Sequence, residues 1–291
     1  MSHAKKITAP QLTAYKRKGR KIAMLTAYDA TFARLFDESG VDMILVGDSL
    51  GMVIQGHDNT VPVTLDDVVY HCRAVSRGLT RAHLAGDMPF MTYKTSPEKA
   101  LESAARLIQE GRAESVKVEG GLELAETIAR IVAAGIPVVG HVGLTPQSVH
   151  AIGGFKMQGK SGEDRARSIE DARAVADAGA FCLVLESIPL ELAQAITSQV
   201  AIPTIGIGAG PHCDGQVLVG YDMLGMNEGF TPRFLKKYAE LGPAIRTAAE
   251  RYAAEVRAGA FPADEHSISV FSDADGGGAL YGRAAEKPTT H

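Results

Sequence analysis

The chain has 291 residues, 45% of them hydrophobic, and a net charge of −4. That balance suits a globular protein with one large α/β domain or two smaller ones, and the mild acidity argues against a nucleic-acid footprint, which needs a basic face. No 18-residue apolar run is present to span a membrane, and Cys72, Cys182 and Cys213 stand far apart without CxxC spacing, which argues against zinc clusters or a disulfide framework and for a reducing cytosol.

Residues 1–28 carry no acid, whereas Lys5, Lys6, Lys16, Arg17, Lys18, Arg20 and Lys21 are basic. A transit peptide has that composition, but so does a short amphipathic helix leading into the first strand, and no apolar h-region marks a secretory signal. Lys21 to Tyr28 reads as a strand, followed by a helix over Asp29 to Ser39 with Gly40 just past its end. Met43 to Asp48 is the second strand, an apolar run that closes on an acid. A long loop, 49–63, leads to a helix capped by Thr64, with Asp67 three residues on. His83 to Met88 is the third strand. Ser96-Pro97 opens the next helix with a capping serine and a proline at the first helical position.

Ser115 to Glu119 is the fourth strand, broken by Gly120-Gly121, and 122–134 is an amphipathic helix. Pro137 to Val142 is the fifth strand, after which Thr145-Pro146 can cap a helical turn. The stretch 153–160 is rich in glycine and reads as a mobile loop. A helix over Asp164 to Ala178 ends at Gly179, and Phe181 to Glu186 is the sixth strand. A helix over Pro189 to Thr197, a seventh strand over Ile202 to Gly208, and an eighth over Gln216 to Tyr221 follow. Helices then run from about Thr231 to Arg257.

Eight short strands alternating with helices over roughly 250 residues have the rhythm of an α/β (β/α)8 TIM barrel. The expected domain is a single barrel over 1–265 with an N-terminal helix; an open doubly wound sheet is the alternative. Residues 266–291 lose apolar periodicity and read as a disordered tail.

Five successive apolar runs close on ionisable groups: Asp48, Asp87, Glu119, His141 and Glu186. In a barrel these strand ends face one site. Asp48 and Asp87 end neighbouring strands, and two close carboxylates repel unless a cation sits between them. Mg2+ suits such a pair, with Glu119 as a third ligand or the holder of a bound water. The plainer alternative is that each acid caps a helix or pairs with a local base. Lys117 lies two residues before Glu119 and points the same way along its strand. It can form a Schiff base with a ketone or bind a substrate carboxylate; adjacent acids keep it protonated and favour the second. Glu186, in a pocket walled by Leu183 and Leu185, suits a general base, or else it binds a backbone amide at the next helix start. His141 orients an acid, contacts substrate, or is structural. His57 reads as a loop anchor. Gly206-Ile207-Gly208-Ala209-Gly210 is a phosphate loop or a tight turn.

Several ordered motifs resemble the ketopantoate hydroxymethyltransferase family. They are Thr26-Ala27-Tyr28-Asp29, Val46-Gly47-Asp48-Ser49-Leu50-Gly51, Asp87-Met88-Pro89-Phe90, Val116-Lys117-Val118-Glu119-Gly120-Gly121, Gly140-His141-Val142-Gly143-Leu144-Thr145-Pro146-Gln147-Ser148 and Ile205-Gly206-Ile207-Gly208-Ala209-Gly210. The likeness runs from about Leu12 to Ser267 and departs only in a few extra residues between Thr95 and Ser115 and in the tail. It implies a (β/α)8 barrel and a cytoplasmic enzyme that passes a one-carbon unit from 5,10-methylenetetrahydrofolate to 3-methyl-2-oxobutanoate. It also implies Mg2+ and a homodecamer of two five-membered rings. Carried over, Asp48 and Asp87 are metal ligands and Glu119 belongs to the metal shell. Asp48, Ser49, Asp87 and Lys117 bind the oxo acid, and Glu186 is the catalytic base. A metal-dependent lyase or mutase, a Lys117 aldolase, and a catalytically dead binding barrel are the competing readings.

Overall fold

The computed structural model describes residues 5–227, 229 and 231–267. The tail expected from 266 onward lies outside the described residues from 268.

Alternation of strand and helix is set by short apolar strands with caps between them. After α1 (Ala9–Arg17), β1 (Ile22–Thr26) leads to α2 (Ala30–Glu38), and β2 (Met43–Val46) leads to the short α3 (Leu50–Val53) and then α4 (Leu65–Ser76). β3 (His83–Asp87) precedes α5 (Pro97–Gln109), and β4 (Ser115–Glu119) precedes α6 (Ala125–Ala133). β5 (Val138–Gly143) is followed by α7 (Val149–Ile152) and α8 (Gly162–Asp177), and β6 (Cys182–Glu186) by α9 (Leu190–Gln199). β7 (Thr204–Ile207) turns directly into β8 (Gly215–Leu218), which ends at α10 (Gly220–Met223). All eight strands pair in parallel and in sequence order, and β8 closes on β1 with Ile22 opposite Gly215. The barrel is therefore the expected one, not an open sheet.

The capping residues act as their types require. The Thr31 and Phe32 amides donate to Asp29 at 2.7 and 2.9 Å. Thr64 and Asp67 close a capping box, and the Lys99 amide donates to Ser96 at 3.1 Å.

Period-two side-chain alternation makes two apolar layers. Met24, Met43, Leu45, Ala85, Val139, Val184, Ile205 and Val217 fill the barrel interior, together with Ile7 and Leu12 from the N-terminal segment. Ile44, Val46, Leu84, Val116, Leu183 and Leu185 face outward against helix residues such as Val68, Leu107, Ile128, Val175 and Ile196. The basic N-terminal stretch is spent on the barrel. Lys16 Nζ donates to the Thr197 and Ile202 carbonyls and pairs with Asp214 at 2.9 Å, and Arg20 pairs with Asp42 at 2.7 Å. The amphipathic-helix reading of that stretch holds. Cys72, Cys182 and Cys213 are free and buried.

Three boundaries differ from the sequence reading. The loop 49–63 contains α3, whose Leu50 is buried against the core. β8 starts at Gly215 and stops at Leu218, and Gly220-Tyr221 are helical: a Cβ at Gly220 would lie 2.4 Å from the Thr26 carbonyl, so glycine lets α10 start against β1. Residues 153–160 connect α7 to α8 without regular secondary structure, as the sequence suggests, and the Gln158 amide donates to the Ser187 carbonyl at 3.0 Å. The helix expected from Thr231 begins only at Leu241, because Pro232 interrupts the earlier stretch while Pro243 sits in the first turn of α11 (Leu241–Arg257).

One compact unit runs to Glu240 and contains the barrel, and a second starts at Leu241. Within that second unit, the rings of Tyr252 and Phe261 meet edge-on at 5.6 Å.

Candidate active site

The strand register decides which charged groups meet. Asp87 on β3 lies opposite Lys117 on β4, and Glu119 on β4 lies opposite His141 on β5. All four point inward, being in phase with the interior residues Ala85 and Val139. Lys117 Nζ reaches both Asp87 carboxylate oxygens at 2.7 Å and Glu119 Oε1 at 3.2 Å. His141 Nδ1 is 3.3 Å from Glu119 Oε1, and its Nε2 is 3.3 Å from Glu186 Oε2; neither contact is an aligned hydrogen bond. Asp48 follows the end of β2, and its amide donates to Asp87 Oδ2 at 3.2 Å.

Asp48, Asp87 and Glu119 thus come together: one oxygen from each lies within 4.8 Å of the others, and all three residues are buried. Two bases contact them, Lys117 and His141, and His141 also meets Glu186. The electrostatic consequences are large. Burial, then the neighbouring carboxylates of Asp87 and Glu119, pushes Asp48 well above the usual carboxylate range. Burial also lifts Asp87, against the pull of Lys117. Burial would raise Glu119 too, but Lys117 and His141 bring it down to about 2. Burial alone would strip Lys117 of its proton; the surrounding Asp87, Glu119 and Asp48 outweigh that and hold the ammonium above the usual lysine range. Burial opposes charge on His141, yet Glu119 and Glu186 raise it to about 9.

A buried acid trio offers the oxygen atoms that could hold a hard divalent cation. Asp48 is the telling member, because among the described residues its carboxylate receives just one side-chain donor, Gln147 Nε2 at 2.9 Å. The chemistry of this oxygen set fits Mg2+.

Glu186 lies on the inward face of β6, at the rim of the same cavity. Its expected walls are corrected. Leu183 and Leu185 point outward into the helix layer, one residue out of phase with Glu186, and Val184 is the strand neighbour that lines the cavity. The Ser49 hydroxyl bonds the Tyr28 hydroxyl at 2.8 Å and faces the cavity. His57 also lines it. The glycine run after β7 serves a tight turn: Gly208 has φ +63°, and a Cβ there would meet the Phe234 ring at 2.8 Å.

Two residues outside the sequence reading organise this centre. Gln147 is buried and donates through Nε2 to both Asp48 Oδ2 and the Met88 carbonyl, each at 2.9 Å. Its Oε1 therefore faces the Tyr93 hydroxyl at 2.7 Å, and that hydroxyl accepts from the Glu119 amide at 3.1 Å. The Gln147 amide N–H donates to Glu119 Oε2 at 3.2 Å. In the sequence Gln147 is one residue of a short turn and Tyr93 sits in a loop, so periodicity flags neither. The usable signal was the motif containing Gln147.

The cavity over these groups measures about 730 Å³ and opens at the C-terminal ends of the strands, which is where (β/α)8 enzymes do their chemistry. Fold and site together define a barrel enzyme with an acidic, cation-ready centre. Residues 6–264 match the model of the ketopantoate hydroxymethyltransferase family. A 3-methyl-2-oxobutanoate hydroxymethyltransferase of Anaeromyxobacter sp. is 56% identical over 268 residues, covering 91% of this chain and 88% of that protein. The protein of the same name from Pelobacter propionicus is 55% identical over 265 residues, covering 91% and 98%. Among solved structures, phosphonopyruvate hydrolase in complex with oxalate and Mg++ superposes with a TM-score of 0.59 at 15% identity, covering 91% of this chain and 93% of that one. A 2,3-dimethylmalate lyase of the PEP mutase/isocitrate lyase superfamily superposes with a TM-score of 0.56 at 16% identity, covering 90% and 92%. Those two likenesses are of fold. The chain belongs to the ketopantoate hydroxymethyltransferase family of transferase enzymes.

Proposed function

We propose that the enzyme transfers a hydroxymethyl group from 5,10-methylenetetrahydrofolate to 3-methyl-2-oxobutanoate, giving 2-dehydropantoate, the first step of pantothenate biosynthesis. The observation that carries this reading is the convergence of Asp48, Asp87 and Glu119 within 4.8 Å, beside the Lys117 ammonium. An oxo acid offers adjacent keto and carboxylate oxygens, and such a centre is built to receive them. Asp48, Asp87 and Glu119 would hold Mg2+. That ion, when bound, supplies a Lewis acid for the keto oxygen.

The chain's own groups do the rest. Lys117 and the Ser49 hydroxyl bind the substrate carboxylate, with Asp48 and Asp87 framing the oxo acid. Glu186 takes the proton from C3, which leaves C3 nucleophilic toward the one-carbon unit brought by the folate; water supplies the hydroxyl oxygen of the product, and tetrahydrofolate leaves. His141, 3.3 Å from both Glu119 and Glu186, orients Glu186, so its part in placing the substrate is exercised through the base. The family resemblance supports a cytoplasmic homodecamer. Among the described residues no helix is long and apolar enough to cross a membrane.

The purified protein should convert 3-methyl-2-oxobutanoate with methylenetetrahydrofolate and Mg2+, and a chelator should stop it. Release of tetrahydrofolate separates this reaction from a lyase or mutase. Glu186→Gln should still bind the oxo acid while losing solvent deuterium exchange at C3. Exchange at the wild-type rate in that variant would assign the base to another group.

A further inference from the structure

The cavity is larger than the chemistry above requires. Its floor carries the charged groups. Toward the mouth the lining turns apolar, with Met52, Phe155 and Phe234 on the rim. These three are 37%, 48% and 41% exposed, large apolar side chains left facing a concave opening. Apolar surface of that kind marks a place where a ligand or partner sits. At about 730 Å³ the cavity is in the range that encloses a drug-sized molecule. A branched five-carbon oxo acid fills a minor part of it.

Two carboxylates that the chemistry above does not use line the cavity, Asp58 and Asp222, and Asp222 is the one held by a side-chain hydrogen bond. Asp222 on α10 lines the cavity and takes no part in the chemistry above. Asn227 Nδ2 donates to its Oδ1 at 2.6 Å, while its Oδ2 has no hydrogen-bond partner among the described residues. Burial raises the Tyr28 phenol above its usual range and the Asp222 charge adds to the push, and Tyr28 in turn bonds Ser49, the neighbour of Asp48. A carboxylate braced on one oxygen and open on the other is a fork for two parallel N–H donors.

We propose that Asp222, braced by Asn227, and the apolar rim of Phe155 and Phe234 bind the bicyclic ring of the folate co-substrate. The inference rests on the one-carbon donor named above and adds where and how that donor is recognised. The 2-amino-4-oxo edge of the ring presents an amino N–H and an adjacent ring N–H side by side, spaced like the donors of a guanidinium. Asp222 accepts both. The flat faces of the ring cover Phe155 and Phe234, and the one-carbon unit then points down toward the floor.

The test uses the full-length enzyme and titration calorimetry with tetrahydrofolate, alongside solvent deuterium exchange at C3 of the oxo acid, which needs no folate. Asp222→Asn should weaken tetrahydrofolate binding about 10- to 100-fold, the worth of a charge-assisted pair, with the exchange rate retained. An analogue lacking the 2-amino group should bind the wild type more weakly than tetrahydrofolate does, yet bind Asp222→Asn no more weakly. Phe234→Ala should weaken both ligands alike. Tetrahydrofolate bound equally by wild type and Asp222→Asn overturns the site and leaves the donor standing. Equal losses of folate binding and of exchange show general damage and also overturn it. No binding by the wild type overturns site and donor together.

Discussion

Tyr93→Phe tests whether the acid trio is positioned by the buried polar pair behind it. Tyr93 is fully buried, and its hydroxyl accepts from the Glu119 amide at 3.1 Å and meets Gln147 Oε1 at 2.7 Å. Phenylalanine keeps the ring and its packing, so the change removes one oxygen and little volume. It leaves a buried N–H and a buried amide oxygen without partners, at about 1–3 kcal/mol each, so about 2–6 kcal/mol of stability should go. Urea unfolding followed by far-UV circular dichroism reads that loss. The same change frees Gln147, which holds Asp48 through Nε2 and Glu119 through its amide. Mn2+ affinity, measured by the free-ion paramagnetic signal, should therefore fall about 10- to 100-fold, as for other partners standing behind metal ligands. Combining Tyr93→Phe with Gln147→Leu should cost less than the sum of the two, because they share one contact. A stability loss under about 0.5 kcal/mol with unchanged Mn2+ affinity would refute the positioning role.

Asp87→Asn breaks the bidentate pair with Lys117 and should abolish both activity and its chelator sensitivity; full activity in the presence of chelator would remove Asp87 from the metal role. His83 gives a pH-dependent prediction remote from that centre. Burial holds it neutral down to about 4, from an ordinary value of 6.5. Between those values the unfolded chain binds a proton that the folded chain does not, so stability rises with pH across the window. Lowering the pH through it should cost about 3 kcal/mol, and His83→Gln should flatten that slope; parallel pH profiles for the two proteins would refute it. Gly140→Ala puts a methyl group 2.2 Å from Val175 Cγ1, where α8 packs on β5. Overpacking there should cost about 1–3 kcal/mol, and an unchanged melting temperature would show that α8 yields freely.

Secondary structure was legible wherever local chemistry is sufficient. Asp29, Thr64 and Ser96 cap helices because their side chains satisfy amides a few residues away. The strands were legible because four to six apolar residues between turn signals have few other uses. Where several neighbours compete, local reasoning failed. α3 lies in a stretch that reads as loop, and β8 ends early because β1 crowds Gly220. Glu186 was identified but its walls were not, since the choice between Val184 and the two leucines is one of strand phase.

By itself the sequence determined the eight-strand rhythm and the five ionisable strand ends, since both are properties of consecutive residues. Only the tertiary structure decided that Asp87 grips Lys117, that His141 lies between Glu119 and Glu186, and that Gln147 and Tyr93 hold the acids in place. Those contacts, one of which joins residues 99 positions apart, follow from barrel closure and strand register, and no local pattern carries that information.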